Sequence, residues 1–133
     1  MAEKKIICDT DVMIDYWDVH QFRHTATKNT LEKKIGLDQV VLSAITKMEL
    51  FSGASNKKEL HLIDQKLGRF NIALINSEIT IKSFDLLKIY RLSHGLLFPD
   101  SIIASTAIVS GLALFTYNTK DYKFISGLQL FKG

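Results

Sequence analysis

The sequence predicts an α/β fold: a three-layer α/β/α sandwich around a central, mostly parallel sheet of four to five strands. Two observations predict it. Short apolar runs recur along the 133 residues, and stretches of helical periodicity separate them. Strands divided by helices pair in parallel through crossovers. The length fits one domain, residues 1–133, with enough chain to bury its own core.

Lys4 to Cys8 reads as the first strand, and Asp11 to about His20 as a helix with Val12, Met13, Tyr16 and Trp17 on one face. A polar helical stretch from His24 to Lys34 ends at Gly36. Val40 to Leu42 forms the next strand, and Ser43 caps a helix over Ala44 to Ser52 that stops at Gly53. Asn56 caps a helix from Lys57 to Leu67. Phe70 to Ile75 is a third strand, after which Ser77 caps a long helix reaching towards Leu92 and broken by Gly95. Pro99, the only proline, biases Phe98 away from helix, so the next helix is expected from Asp100 to Val109, ended by Gly111. Leu112 to Thr116 is a fourth strand and Leu128 to Phe131 a weak fifth.

Composition narrows the class. Hydrophobic residues make up 47% and charged residues 23%, ordinary for a soluble globular protein. No apolar run reaches the roughly 18 residues that span a bilayer, and Met1 to Ile6 lacks a signal-peptide core, so a cytoplasmic location is expected. The single cysteine, Cys8, has no partner for an internal disulfide and reads as a buried thiol at a strand end.

Four acids fall where this element order could bring them to one sheet edge: Asp9, Glu49, Asp100 and Asp121. Asp9 ends the run Ile6-Ile7-Cys8. Glu49 shares a helix face with Ile45, Met48 and Ser52, which sets a carboxylate beside residues that favour the core. Asp100 lies in the first turn of a helix, where the helix dipole favours a negative charge. Asp121 follows the fourth strand after a short loop. Each has a plain structural reading as a salt bridge, a capping acid or a loop acid; together they suggest more. Carboxylates gathered at a low-dielectric edge repel unless protons or cations neutralise them, and hard divalent cations such as Mg²⁺ or Mn²⁺ suit an all-oxygen set. Removing these four from the 14 acidic residues leaves ten against 17 basic ones, an excess of +7 that would suit a polyanionic substrate.

Four segments, Asp9-Thr10-Asp11-Val12-Met13-Ile14-Asp15, Ser43-Ala44-Ile45-Thr46-Lys47-Met48-Glu49-Leu50, Pro99-Asp100-Ser101-Ile102-Ile103-Ala104 and Thr116-Tyr117-Asn118-Thr119-Lys120-Asp121-Tyr122, resemble in order and spacing the PIN-domain ribonucleases, specifically VapC-type toxins of bacterial toxin–antitoxin pairs. The resemblance covers nearly the whole chain. It implies that Asp9, Glu49, Asp100 and Asp121 are metal-binding and catalytic, with Thr10, Thr116 and Asn118 as the polar residues around them. The implied reaction is Mg²⁺- or Mn²⁺-dependent hydrolysis of RNA, leaving a 5′-phosphate and a 3′-hydroxyl. The implied partners are an RNA substrate, a VapB-like antitoxin protein and a second copy of the chain. The family usually carries asparagine where Asp11 stands and isoleucine or leucine where Phe98 stands. Asp11 could add a fifth carboxylate; the favoured reading places it facing solvent as a helix N-terminal acid.

Other classes fit less well. Asp9-Thr10-Asp11-Val12 resembles the Asp-x-Asp signature of haloacid-dehalogenase phosphatases, but Lys120-Asp121 is a poor substitute for their later lysine and acid. A receiver domain needs an aspartate after a mid-chain strand, and neither Val40 to Leu42 nor Phe70 to Ile75 is followed by one. A non-catalytic module that sequesters RNA or a protein remains the alternative from another class. His20 and His24 have zinc-like spacing without a third ligand nearby and read as surface residues, as do His61 and His94.

Overall fold

The computed structural model describes residues 4–132, so the reading of Met1 to Glu3 lies outside it. The described elements are β1 (Ile6–Cys8), α1 (Thr10–Trp17), α2 (His24–Asn29), β2 (Val40–Ser43), α3 (Ala44–Ser52), α4 (Lys57–Leu67), β3 (Asn71–Ala73), α5 (Ser77–His94), α6 (Phe98–Ser110) and β4 (Ala113–Phe115). All strand pairs are parallel and the sheet order is β3-β2-β1-β4.

Alternation along each strand divides the core into two layers. Ile6 and Cys8 of β1, with Val40 and Leu42 of β2, pack against Val12, Met13, Leu31 and Leu67 on one face. Ile7, Val41 and Leu114 point the other way, onto Leu86 of α5 and Ile103, Ala104 and Ala107 of α6. The small residues Ala104, Ser105 and Ala107 of α6 let that helix lie close to the sheet. Helices therefore cover both faces, and the three-layer architecture holds.

Several boundaries differ from expectation for identifiable reasons. The fifth strand is only an isolated parallel bridge between Leu114 and Leu130. Gly127 at φ +87° turns the chain just before it, and the segment meets β4 through a few bonds around Leu114. The helical stretch after His24 is α-helix through Asn29 and π-helix over Thr30–Ile35. The Thr30 hydroxyl donates to Ala26 O at 3.0 Å, competing for a carbonyl of the regular ladder. The third strand contracts to Asn71–Ala73 because it pairs on one side only and Leu74 turns to solvent, 74% exposed. Phe98 is helical after all. Leu97 is extended and begins α6, so Pro99 sits in the first turn, where its missing N–H costs nothing.

The long helix α5 is capped by Asn76 and not by Ser77: the Asn76 side chain accepts from the Ile79 N–H at 2.9 Å. Gly95 and Gly111, at φ +72° and +67°, close α5 and α6 in the left-handed conformation that glycine adopts without strain. Asn76→Ala should therefore destabilise the protein by about 1 kcal/mol, whereas Ser77→Ala should change stability by less than about 0.5 kcal/mol. Urea denaturation of both variants checks this, and equal effects would return the cap to Ser77.

Candidate active site

The chain runs outward from β1 through β2 to β3 and then returns to place β4 on the other side of β1. That reversal opens a crevice beyond the carboxyl ends of β1 and β4, where open α/β sheets collect ligands. Asp9 and Thr116 are the first residues past those two strands. Their side chains meet there, the Thr116 hydroxyl donating to Asp9 Oδ2 at 2.8 Å.

Asp9 also caps α1, its Oδ1 accepting from the Thr10 N–H at 2.8 Å. Asp9 is 6% exposed. Burial pushes its pKa up, partly offset by the hydrogen bonds from Thr116 and Thr10. Across the crevice, Asp100 lies in the first turn of α6, and the Tyr122 hydroxyl donates to its Oδ1 at 3.1 Å. Burial, then the Asp9 charge and more weakly those of Asp121 and Glu49, push Asp100 up to about 6. Asp100 thus senses all three of the other predicted acids.

Glu49 does not sit as its sequence neighbours suggest. Met48 is 53% exposed and Glu49 is itself exposed, because α3 turns Thr46 and half of Ile45 inward instead. Glu49 forms no salt bridge with Lys47 or Arg69; Arg69 pairs with Asp38 at 2.8 Å. Glu49 is directed by a hydroxyl: Thr10 donates to its Oε1 at 2.8 Å, and the buried Thr46 Oγ1 lies 3.0 Å from the Thr10 oxygen. Asp121, also exposed, ends a 3₁₀ turn over Thr119–Asp121. The Asn118 N–H donates to Thr116 Oγ1 at 3.0 Å, tying that turn to the hydroxyl that holds Asp9.

Asp11 corrects the solvent-facing expectation. Its Oδ2 accepts from the Tyr117 N–H at 3.0 Å, while its Oδ1 is buried without a hydrogen-bond partner. Burial and the neighbouring Asp9 charge push it up to about 7. The Tyr117 ring lies beneath the Arg23 guanidinium at 4.1 Å, and Arg23 is paired with the buried Asp15 at 2.7 Å. Tyr117 and Thr27 also share a hydroxyl contact. Tyr122, Thr46 and this Asp11–Tyr117 link are the parts of the site that sequence reading missed. The signal for Tyr122 was available, since a buried tyrosine must find a partner for its hydroxyl.

The oxygen donors suit a hard dication in chemistry and charge. Among the described residues, however, no group of three or more His, Cys, Asp or Glu side chains is already arranged to hold an ion. The present rotamers are directed by Thr10, Thr116 and Tyr122. Cys8, directly below, is fully buried and its thiol is pushed well up by burial and then by Asp9 and Asp11, so it remains protonated. No described helix is long and apolar enough to cross a membrane.

A parallel four-stranded sheet with acids gathered at its switch point defines a class, and comparison with known proteins gives the class its family. The model of the PIN domain matches residues 6–125, and the chain belongs to that family. It is 33% identical to Ribonuclease VapC1 of Methanocaldococcus jannaschii over 97% of this chain and 88% of that protein. It resembles a toxin–antitoxin complex from Klebsiella pneumoniae at 30% identity and a TM-score of 0.72, covering 93% of this chain and 95% of the other. VapBC2 from Rickettsia felis, solved with a DNA fragment from its promoter, shares the fold at 24% identity and a TM-score of 0.73, covering 95% and 96%.

The raised pKa values have a consequence for stability without metal. Folded Asp100 and Asp11 keep protons that an unfolded aspartate, with a pKa near 3.8, has released. Their contribution is complete below about pH 4 and is lost as pH rises through about 6 for Asp100 and about 7 for Asp11. Asp100→Asn and Asp11→Asn, which cannot ionise, should each gain roughly 1 kcal/mol over the parent at pH 8 once solvent screening is allowed for, about 3–5 °C in Tm. The gain should vanish at pH 4. Thermal unfolding in chelator at the two pH values measures it, and a gain independent of pH would contradict the assigned charge states.

Proposed function

We propose that the chain is a metal-dependent endoribonuclease acting as the toxin of a toxin–antitoxin pair. The observation that carries this reading is the hydrogen-bonded cluster in which Thr116 holds Asp9, Tyr122 holds Asp100 and Thr10 directs Glu49, with Asp100 pushed up by burial and by the charges of Asp9, Asp121 and Glu49. Four separately encoded carboxylates in one electrostatic neighbourhood are costly in the absence of a cation. The name of the curated relative, a ribonuclease, supports RNA as the substrate.

In this reading Asp9 and Asp100 are the principal donors to Mg²⁺ or Mn²⁺, Glu49 and Asp121 complete the site from its exposed side, and Asp11 stands behind Asp9. A bound ion would supply charge neutralisation and would lower the pKa of a water for attack on phosphorus. The chain's own residues prepare the ground for it. Thr116 and the Thr10 N–H fix the two oxygens of Asp9, the Thr10 hydroxyl directs Glu49, and Tyr122 orients Asp100. Asn118 holds the turn bearing Asp121 through its N–H. Below about pH 6 Asp100 holds a proton and is a poorer donor, so occupancy by metal weakens.

The partner we assign is a protein antitoxin, in line with the toxin–antitoxin complex that the chain resembles. We assign the homodimer contact to the exposed apolar stripe of α5, where Ile81, Phe84 and Leu92 are 59%, 60% and 99% exposed.

Asp9→Asn or Asp100→Asn should lower RNA cleavage at least a hundred-fold while leaving the circular-dichroism spectrum unchanged. EDTA should stop cleavage by the parent protein, and added Mg²⁺ or Mn²⁺ should restore it. Full activity in either variant, or in chelator, contradicts the proposal. Metal-independent RNA binding with no cleavage of any RNA would favour a non-catalytic module.

A further inference from the structure

A cavity of about 800 Å³ opens at the amino-terminal edge of the sheet, on the side away from the carboxylates. We propose that it is a second RNA site, taking one nucleotide of the substrate strand with its base on the apolar wall and its phosphates on a lysine rim. The choice of RNA as occupant rests on the ribonuclease reading; the cavity and its charge do not.

The rim draws its charge from two separate parts of the chain: Lys4 and Lys5 precede β1, and Lys132 follows the bridge to β4. Among the described residues no carboxylate lines the cavity. Among the described residues Lys4, Lys5 and Lys132 form no salt bridge. Like charges converging on one opening repel each other, and a polyanion relieves that repulsion while releasing its own counterions.

Beneath the rim the walls are apolar, formed by Ile6, Leu112, Leu130 and Phe131. The Phe131 ring is packed against Phe115 with centroids 5.1 Å apart, so it offers a fixed face and not a mobile one. The volume falls in the range of small-molecule pockets, roughly 300–1,000 Å³. A cationic rim over an apolar floor with one fixed ring has the combination used for unpaired nucleotides, which present an anionic backbone and a flat base.

An acidic peptide shares the charge but fits less well. A peptide gains most at such an edge by adding a strand. Here the outer edge of β4 is occupied: the Leu114 N–H donates to Gln129 O at 2.9 Å and the Phe131 N–H to Leu114 O at 2.8 Å. β1 has three residues, about 10 Å at 3.3 Å each, which sets the depth of the sheet between the cavity and the carboxylates.

The test uses the full chain and fluorescence anisotropy of a labelled, unstructured RNA in chelator across a range of salt. Lys5→Ala/Lys132→Ala should weaken binding about ten-fold and reduce the slope of log affinity against log salt by roughly 1 to 1.5. Lys57→Ala/Lys58→Ala, the same charge change on α4, should shift affinity less than two-fold. With metal present, the first variant should raise KM for the long RNA and leave cleavage of a substrate too short to span both edges unchanged. Unchanged affinity and slope, equal loss in both double variants, or displacement of RNA by an aspartate-rich peptide as effective as unlabelled RNA each overturn the proposal. The two readings fail separately. Loss of RNA binding in the first variant with no cleavage by the parent protein leaves the cavity assigned and the ribonuclease reading refuted; cleavage by the parent that the variant fully retains on long RNA does the reverse.

Discussion

The architecture depends on how one buried carboxylate is satisfied. Asp9 leaves the central strand β1 at the point where the sheet order reverses, and it is nearly inaccessible to water. A charge there is tolerated only with strong partners. It has them: the first N–H of α1 on one oxygen, the Thr116 hydroxyl on the other. The same two bonds fix the start of α1 and the end of β4, so the fold and the site are specified by one side chain. Around it Thr10 extends the network to α3 through Thr46 and Glu49, and Tyr122 extends it to α6 through Asp100.

Most of the fold was legible because its signals are local. The caps Ser43 and Asn56 announce α3 and α4 at their observed starts, since a short polar side chain before an apolar-periodic run has few other uses. Strand positions were legible from apolar runs, and both-face burial explains why those runs do not alternate with polar residues. What failed was decided by competition between neighbours. Asn76 and Ser77 are both good caps, and the sequence does not say which of two adjacent residues will be extended. The bridge at Leu130 depends on Gly127 and on the room left beside β4, which no run of four residues encodes.

The candidate site divides the same way. Asp9, Asp100 and Thr116 could be placed because each sits at the end of a strand or the start of a helix. Glu49 is presented differently from what its sequence neighbours suggest: its helix face is more exposed than Ile45 and Met48 imply, and a hydroxyl thirty-nine residues away directs it. Asp11 was the largest departure. An acid in the first turn of a helix ordinarily points to water, and only the loop after β4, which supplies the Tyr117 N–H, draws this one inward. Contacts across more than a hundred residues leave no mark in a local pattern.

The brevity of β1 limits how this chain can vary in length. Side chains along a strand alternate between the two helical layers, so inserting or deleting one residue between Lys5 and Asp9 would send Ile6, Ile7 and Cys8 to the wrong partners. In a three-residue strand no neighbouring register can absorb the slip, and the same change would swing Asp9 out of the crevice. Tolerance for altered length lies elsewhere, in connections such as residues 53–56 between α3 and α4, where the parity of the backbone has no bearing on the core or on the acids.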